Sequence, residues 1–200
     1  RAVIAIGGDR PTAGCIAANA HALARYAALC HEAGLLPIVE PEVLMTGEHD
    51  IDAHETATAA ALRAVFAELQ SQRVALEGIL LKANMVLSGS DCPRQAGIDE
   101  VADATLRCLR RCVPAAVPGI VFLSGGQTPL QATAHLNAMN ARGPQPWELS
   151  FSYGRALQEP VLATWKGDSS NVRAAQERLL LRAVCNRAAR SGAYTPAMEQ

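Results

Sequence analysis

Short apolar runs alternate along the chain with longer segments in which apolar side chains recur every three or four residues. The runs are Ala2–Ile6, Leu35–Val39, the Gly78–Leu81 stretch that leads to Lys82, Gly119–Leu123 and Trp147–Phe151. Each is too short for a globular helix, which predicts five strands, and the uninterrupted apolar run before Lys82 reads as a strand buried on both faces, as in a parallel sheet. Between them the 3.6-residue period predicts helices. The first carries Ile16, Leu23, Ala27 and Cys30 and ends at Gly34; the second runs from Ile51 to Gln72 with Leu62, Val65, Phe66 and Leu69 on one face. Further helices are predicted over Asp99–Cys112, Thr128–Ala141, Ala156–Lys166 and Asn171–Arg190, the last capped by Asp168 or Ser169 and ended by Gly192. Strict alternation of strand and helix is the pattern of an α/β fold. Ala2–Ile6 has no turn or capping signal before it, so the chain is expected to open in mid-strand.

Composition narrows the class. Half of the 200 residues are apolar and the formal charge is -1, which fits a chain able to bury a sizeable core and gives no basic surplus for nucleic acid. No apolar run reaches transmembrane length, and Arg1–Ile6 lacks the order of charge, apolar stretch and cleavage site of a signal peptide. A cytoplasmic protein without a membrane partner is expected. The six cysteines form no CxxC pair, and four of them fall in helical patterns, so all are expected to be reduced thiols. No composition shift marks a boundary, and residues 1–200 read as a single domain.

The chemistry centres on Lys82 at the C-terminal end of the third run. A lysine there either marks where the strand reaches water or is a desolvated amine with a lowered pKa, able to attack a carbonyl. Lys82 follows Glu40 by 42 residues and Ser124 follows Lys82 by 42, so an acid, a base and a small polar group occupy equivalent ends of successive units. In a parallel barrel those ends share the face where active sites lie. Five strands cannot close a barrel of eight. The pattern therefore describes an open sheet, or the C-terminal part of a barrel whose first three strands and start of the fourth are absent from this chain. Ser124-Gly125-Gly126 and Ser152-Tyr153-Gly154-Arg155, at two neighbouring strand ends, suit a phosphate: glycines admit close backbone N–H groups and arginine adds a charged fork. His49, Asp50, Asp52, His54 and Glu55 have the composition of a metal site, but His54-Glu55-Thr56-Ala57-Thr58 lacks the second histidine of HExxH and reads as a loop and helix start. His21, His31 and His135 read as surface or core residues of helices, and Trp165-Lys166 as a helix end.

LLPIVEPEVL, EGILLKANMV, GIVFLSGGQT and LSFSYGRAL, followed by GAYTP, resemble class I fructose-1,6-bisphosphate aldolases, the metal-independent Schiff-base family, in order and spacing. The resemblance implies five βα units, strands four to eight plus C-terminal helices, of a (β/α)8 TIM barrel. It implies cleavage of fructose 1,6-bisphosphate to dihydroxyacetone phosphate and glyceraldehyde 3-phosphate, no cofactor or metal, a phosphorylated sugar as partner and a homo-tetramer when full length. By the same alignment Lys82 matches the Schiff-base lysine, Glu40 the acid/base glutamate and Glu42 a second active-site carboxylate. Ser124, Gly125, Gly126, Ser152, Gly154 and Arg155 match the site for the C1 phosphate, and Arg1 an arginine near the other end of the substrate. The chain departs from the family in having Ala83 where proline usually follows the lysine. It ends near Gln200 without the long tail and terminal tyrosine of animal enzymes, as bacterial members do. The family's second catalytic lysine belongs two positions before Arg1, and an aspartate and another lysine belong to earlier strands. A non-catalytic half-barrel serving binding or assembly, and another Schiff-base aldolase of similar fold, are the competing readings.

Overall fold

A computed structural model describes residues 1–199. The chain forms β1 (Ala2–Ile4), α1 (Ala13–Glu32), β2 (Ile38–Val39), β3 (Pro41–Val43), α2 (Ile51–Ser71), β4 (Leu80–Ala83), α3 (Ile98–Cys112), β5 (Gly119–Phe122), α4 (Pro129–Ala141), β6 (Glu148–Phe151), α5 (Arg155–Trp165) and α6 (Val172–Arg190), with short 3-10 turns between some of them. Every strand pairing is parallel. β2, β4, β5 and β6 pair in that order, and β3 pairs with β1, so with β2 and β3 counted as one strand interrupted at Glu40 each strand lies beside its neighbour in sequence. Sequential order without reversal is the order of a (β/α) barrel rather than of a doubly wound sheet.

Capping fixes where the helices begin. The Thr12 hydroxyl accepts from the Cys15 N–H at 3.1 Å, Asp50 accepts from Ala53 at 2.8 Å, and Thr128 and Gln131 form a capping box ahead of Pro129. The last helix differs from expectation: Asp168 caps the 3-10 turn Ser169–Asn171, and α6 starts from Asn171 without a side-chain cap. Cys15, Cys30, Cys108, Cys112 and Cys185 all lie on helices, one more than the pattern predicts, and the six thiols are free. Among the described residues no helix is long and apolar enough to cross a membrane.

β4, β5 and β6 bury one face and leave the other partly open, whereas β3 is buried at all three positions. Leu81, Ala83, Ile120, Phe122 and Leu149 pack into a single core with Leu62, Phe66 and Leu69 of α2 and Leu106 and Leu109 of α3. Alternate residues Leu80, Lys82, Val121 and Ser150 face the other way and remain partly open, because the helices cover only one side of the pleat. The second apolar run shows the largest departure. Leu35 and Leu36 are 62% and 58% exposed, and pairing starts only at the Pro37 carbonyl, which accepts from Leu80. Gly34, at φ +69°, ends α1 and sends the chain out through both leucines before it reaches the sheet. The strand then changes neighbour at Glu40. β2 pairs with β4, whereas β3 pairs with β1, and Glu40 between them gives its carbonyl to the Ala2 N–H at 2.9 Å. Pro41 has no N–H to continue the first ladder. Glu42 accordingly lies within a strand, not beyond its end.

Candidate active site

The register explains how two distant residues meet. Ile38 pairs with Leu80 and Val39 with Leu81, so the next step sets Glu40 across from Lys82. Val39 and Leu81 are fully buried, which turns the side chains of Glu40 and Lys82 to the opposite, open face. Lys82 Nζ lies 3.2 Å from Glu40 Oε1, with the two side chains 21% and 17% exposed. The amine is thus largely withdrawn from water and seated against a carboxylate, rather than at a strand end open to solvent.

Beside this pair Arg1 donates to Glu42 at 2.7 Å; Glu42 is buried while Arg1 reaches solvent. Arg1, Glu40 and Lys82 line a cleft of about 480 Å³ whose walls include Ile38, Leu23 and Tyr26. Sequence reasoning missed Tyr26 and Ile38. Tyr26 is hidden in the helical period of α1, while Ile38 lies two residues before Glu40, so the period of two could have found it.

The second group of predicted residues gathers at the ends of β5 and β6. Ser152 donates its N–H to Phe122 at 2.9 Å, holding the two strand ends together. Gly125 and Gly126 have φ of +59° and +94°, a turn only glycine makes without strain. A Cβ at Gly126 would lie 3.4 Å from Met45 Sδ and 3.9 Å from Arg155 Nη2, so the turn and the arginine, 29 positions apart, occupy one corner. Gly154 is the N-cap of α5 and supplies no side-chain cap, which leaves the first N–H groups of that helix available. Free helix N–H groups, a glycine turn and a guanidinium are the kinds of donor that an anion site requires.

The histidines and acids around the start of α2 do not gather into a metal site. Among the described residues no group of three or more His, Cys, Asp or Glu could hold an ion. His54 is fully buried: its Nδ1 accepts from the Leu87 N–H at 2.8 Å, so Nε2 carries the proton and donates to the Val43 carbonyl at 3.3 Å. Burial lowers its pKa to about 4. Burial likewise lowers His135 to about 4, with Nδ1 2.6 Å from Gln127 Oε1. His21 meets Glu68 at 3.0 Å and His31 the Gly78 carbonyl at 3.0 Å.

A family model for glycolytic class-I fructose-bisphosphate aldolase matches residues 1–200. The chain belongs to the class-I fructose-bisphosphate aldolase family. Over 195 residues it is 57% identical to a probable class 1 fructose-bisphosphate aldolase of Xylella fastidiosa (strain 9a5c), covering 97% of this chain and 58% of that protein. It is 51% identical to a cytoplasmic isozyme of fructose-bisphosphate aldolase from Pisum sativum, covering 97% of this chain and 54% of the other. A solved structure of fructose-bisphosphate aldolase from Plasmodium falciparum, in complex with TRAP and a small-molecule inhibitor, superposes with a TM-score of 0.96 at 48% identity. That superposition covers 98% of this chain and 57% of the other. The chain thus spans somewhat more than half the length of the class-I aldolases it matches.

Proposed function

We propose that this chain carries the imine-forming lysine and the C1-phosphate corner of a fructose-1,6-bisphosphate aldolase, an aldehyde-lyase of glycolysis and gluconeogenesis. Its six strand segments count as five βα units, strands four to eight, of an eight-stranded barrel, and residues 1–200 form one partial domain. The observation that carries the reading is the pair Lys82–Glu40, an amine and a carboxylate 3.2 Å apart on adjacent parallel strands at the edge of a cleft.

In this reading Lys82 Nζ passes one proton to Glu40 and adds to the C2 ketone of the open-chain sugar, a second proton moving from the nitrogen to the C2 oxygen to give the carbinolamine. Glu40 then protonates the C2 hydroxyl of the carbinolamine, which leaves as water and gives an iminium. The iminium draws electrons from the C3–C4 bond as a base removes the proton of the C4 hydroxyl. Glyceraldehyde 3-phosphate departs, and the electron pair stays on the enamine of dihydroxyacetone phosphate. Protonation at C3 and hydrolysis of the imine release the second product. No step needs a metal. Glu42, held by Arg1 at 2.7 Å, supplies a second carboxylate beside the cleft, and Arg1 lies toward the other end of the substrate. Ser124, Gly125, Gly126, Ser152, Gly154 and Arg155 receive the phosphate on C1. A homo-tetramer in the cytoplasm is the assembly and place that accord with this family.

Borohydride added with dihydroxyacetone phosphate tests the proposal. Reduction of the imine should leave a stable adduct on Lys82, located by peptide mapping of the complete polypeptide. An adduct on Lys166, or on no lysine in a preparation that cleaves the sugar, would remove the basis for the mechanism. Arg155→Ala tests the phosphate corner separately. Loss of a charge-assisted hydrogen bond of ~1.5–3 kcal/mol should raise KM by about tenfold or more while kcat changes little. An unchanged KM would put the phosphate elsewhere.

A further inference from the structure

Two buried side chains that take no part in the proposed reaction join the strands that carry it. β3 pairs with β1 and not with β4. The neighbouring Leu44 N–H points to β1, bonding Ile4 at 2.9 Å, so the N–H and C=O of Val43 point the other way, toward β4. Side chains take both. Asn84 Oδ1 accepts from the Val43 N–H at 3.0 Å, and His54 Nε2 donates to the Val43 carbonyl at 3.3 Å.

Each side chain has a second attachment that fixes its direction. Asn84 donates through Nδ2 to Thr58 Oγ1 at 3.0 Å and to the Met85 carbonyl at 3.2 Å. His54 accepts from Leu87, three residues beyond Asn84, at 2.8 Å. His54 and Thr58 stand four apart on one face of α2, both buried among Ala57, Ala61 and Leu62. Three polar side chains in an apolar layer carry a desolvation cost that only satisfied hydrogen bonds offset. They stand where the backbone ladder between β3 and β4 is missing.

What that seam controls is set by sequence. Val43 directly follows Glu42, and Asn84 lies two residues beyond Lys82. Since Glu40 sits at the break where the chain leaves β4 for β1, the offset between the two segments downstream has no ladder to hold it.

We propose that Asn84 and His54 are positioning residues that clamp β3 to β4 and so hold Glu40 and Glu42 at working distance from Lys82. This rests on the function proposed above for Lys82 and Glu40. Displacement of about 1 Å at a reacting group can cost on the order of 10²-fold in rate. The clamp acts on the amine and its proton partner, not on the phosphate corner, so its loss lowers kcat and the rate of imine trapping and leaves KM nearly constant.

The two nitrogens of His54 can be tested apart. His54→Gln places an amide near the former Nε2 and retains a donor for Val43; His54→Asn places one near Nδ1 and retains an acceptor for Leu87. Asparagine is one methylene shorter and leaves the larger cavity, so a role in packing alone lowers the stability of H54N further but gives the folded variants equal kcat and equal trapping. Positioning through Val43 predicts kcat and Lys82 trapping at least about tenfold lower in H54N than in H54Q. Thr58→Val, which keeps shape but removes the acceptor that orients Asn84, should lower kcat by a similar factor at unchanged KM. It serves if the histidine variants do not fold. Equal kcat in H54N and H54Q, or wild-type kcat in folded T58V, overturns the clamp while Lys82 still labels in the unsubstituted protein. Absence of a Lys82 adduct in the unsubstituted protein overturns the proposed function, and the clamp with it.

Discussion

Lys82→Met and Lys82→Arg are both expected to lower kcat by on the order of 10⁴-fold or more, the scale on which loss of a catalytic nucleophile is felt. The two substitutions separate charge from nucleophilicity. Methionine removes the cation beside Glu40 and leaves a carboxylate with 17% of its side chain exposed to find solvent or another partner. Arginine keeps the cation and can still pair with Glu40, but a guanidinium stays protonated and cannot form the iminium. If Lys82 served only as the counter-ion that holds Glu40 in place, the arginine variant would retain most of the activity. Equal loss in both, with circular dichroism and thermal unfolding of the arginine variant close to wild type, assigns the effect to imine chemistry. Activity within about tenfold of wild type in the arginine variant would mean that the bond-breaking step runs through another group.

The parts of this arrangement visible in sequence are those set by local chemistry. The helix predicted from Ile51 to Gln72 and the one from Thr128 to Ala141 form within a residue of those bounds. The 42-residue interval between Glu40, Lys82 and Ser124 is legible because a βα unit repeats its geometry, so equal spacing puts residues at equivalent strand ends. Glu40 and Lys82 meet for that reason. The break at Glu40 was not legible. Pro41 suits both the end of a strand and a change of neighbour, and only the positions of β1 and β4 decide between them. Leu35 and Leu36 are as apolar as buried strand residues, and their exposure follows from where α1 releases the chain. Asn84 and His54 were hidden for a different reason: each satisfies a backbone group 41 or 11 positions away, and no spacing rule links a side chain to a missing ladder. Arg155 and Gly126 could each be named from their surroundings, but that they share one corner is a fact of the fold.

Glu40→Gln should cost about 10²–10⁴-fold in kcat, the range for loss of a positioned general acid/base, with KM changed far less. The amide has nearly the shape of the carboxylate, and its oxygen can still accept from Lys82 across the 3.2 Å gap, so the lysine keeps a neighbour and the cleft its form. What the amide cannot do is take a proton from the attacking amine and return one to the departing hydroxyl. Imine formation needs both transfers, whereas holding the phosphate needs neither. Borohydride trapping at Lys82 should therefore slow by about the same factor as turnover, while the equilibrium affinity for dihydroxyacetone phosphate persists through the corner around Arg155. Glu42→Gln is the comparison that decides the division of labour. Glu42 is committed to Arg1 at 2.7 Å, so its amide should weaken that contact and slow turnover less than the change at Glu40. If the two variants reverse in order, the proton shuttle belongs to the residue inside β3, and Glu40 serves to hold the lysine.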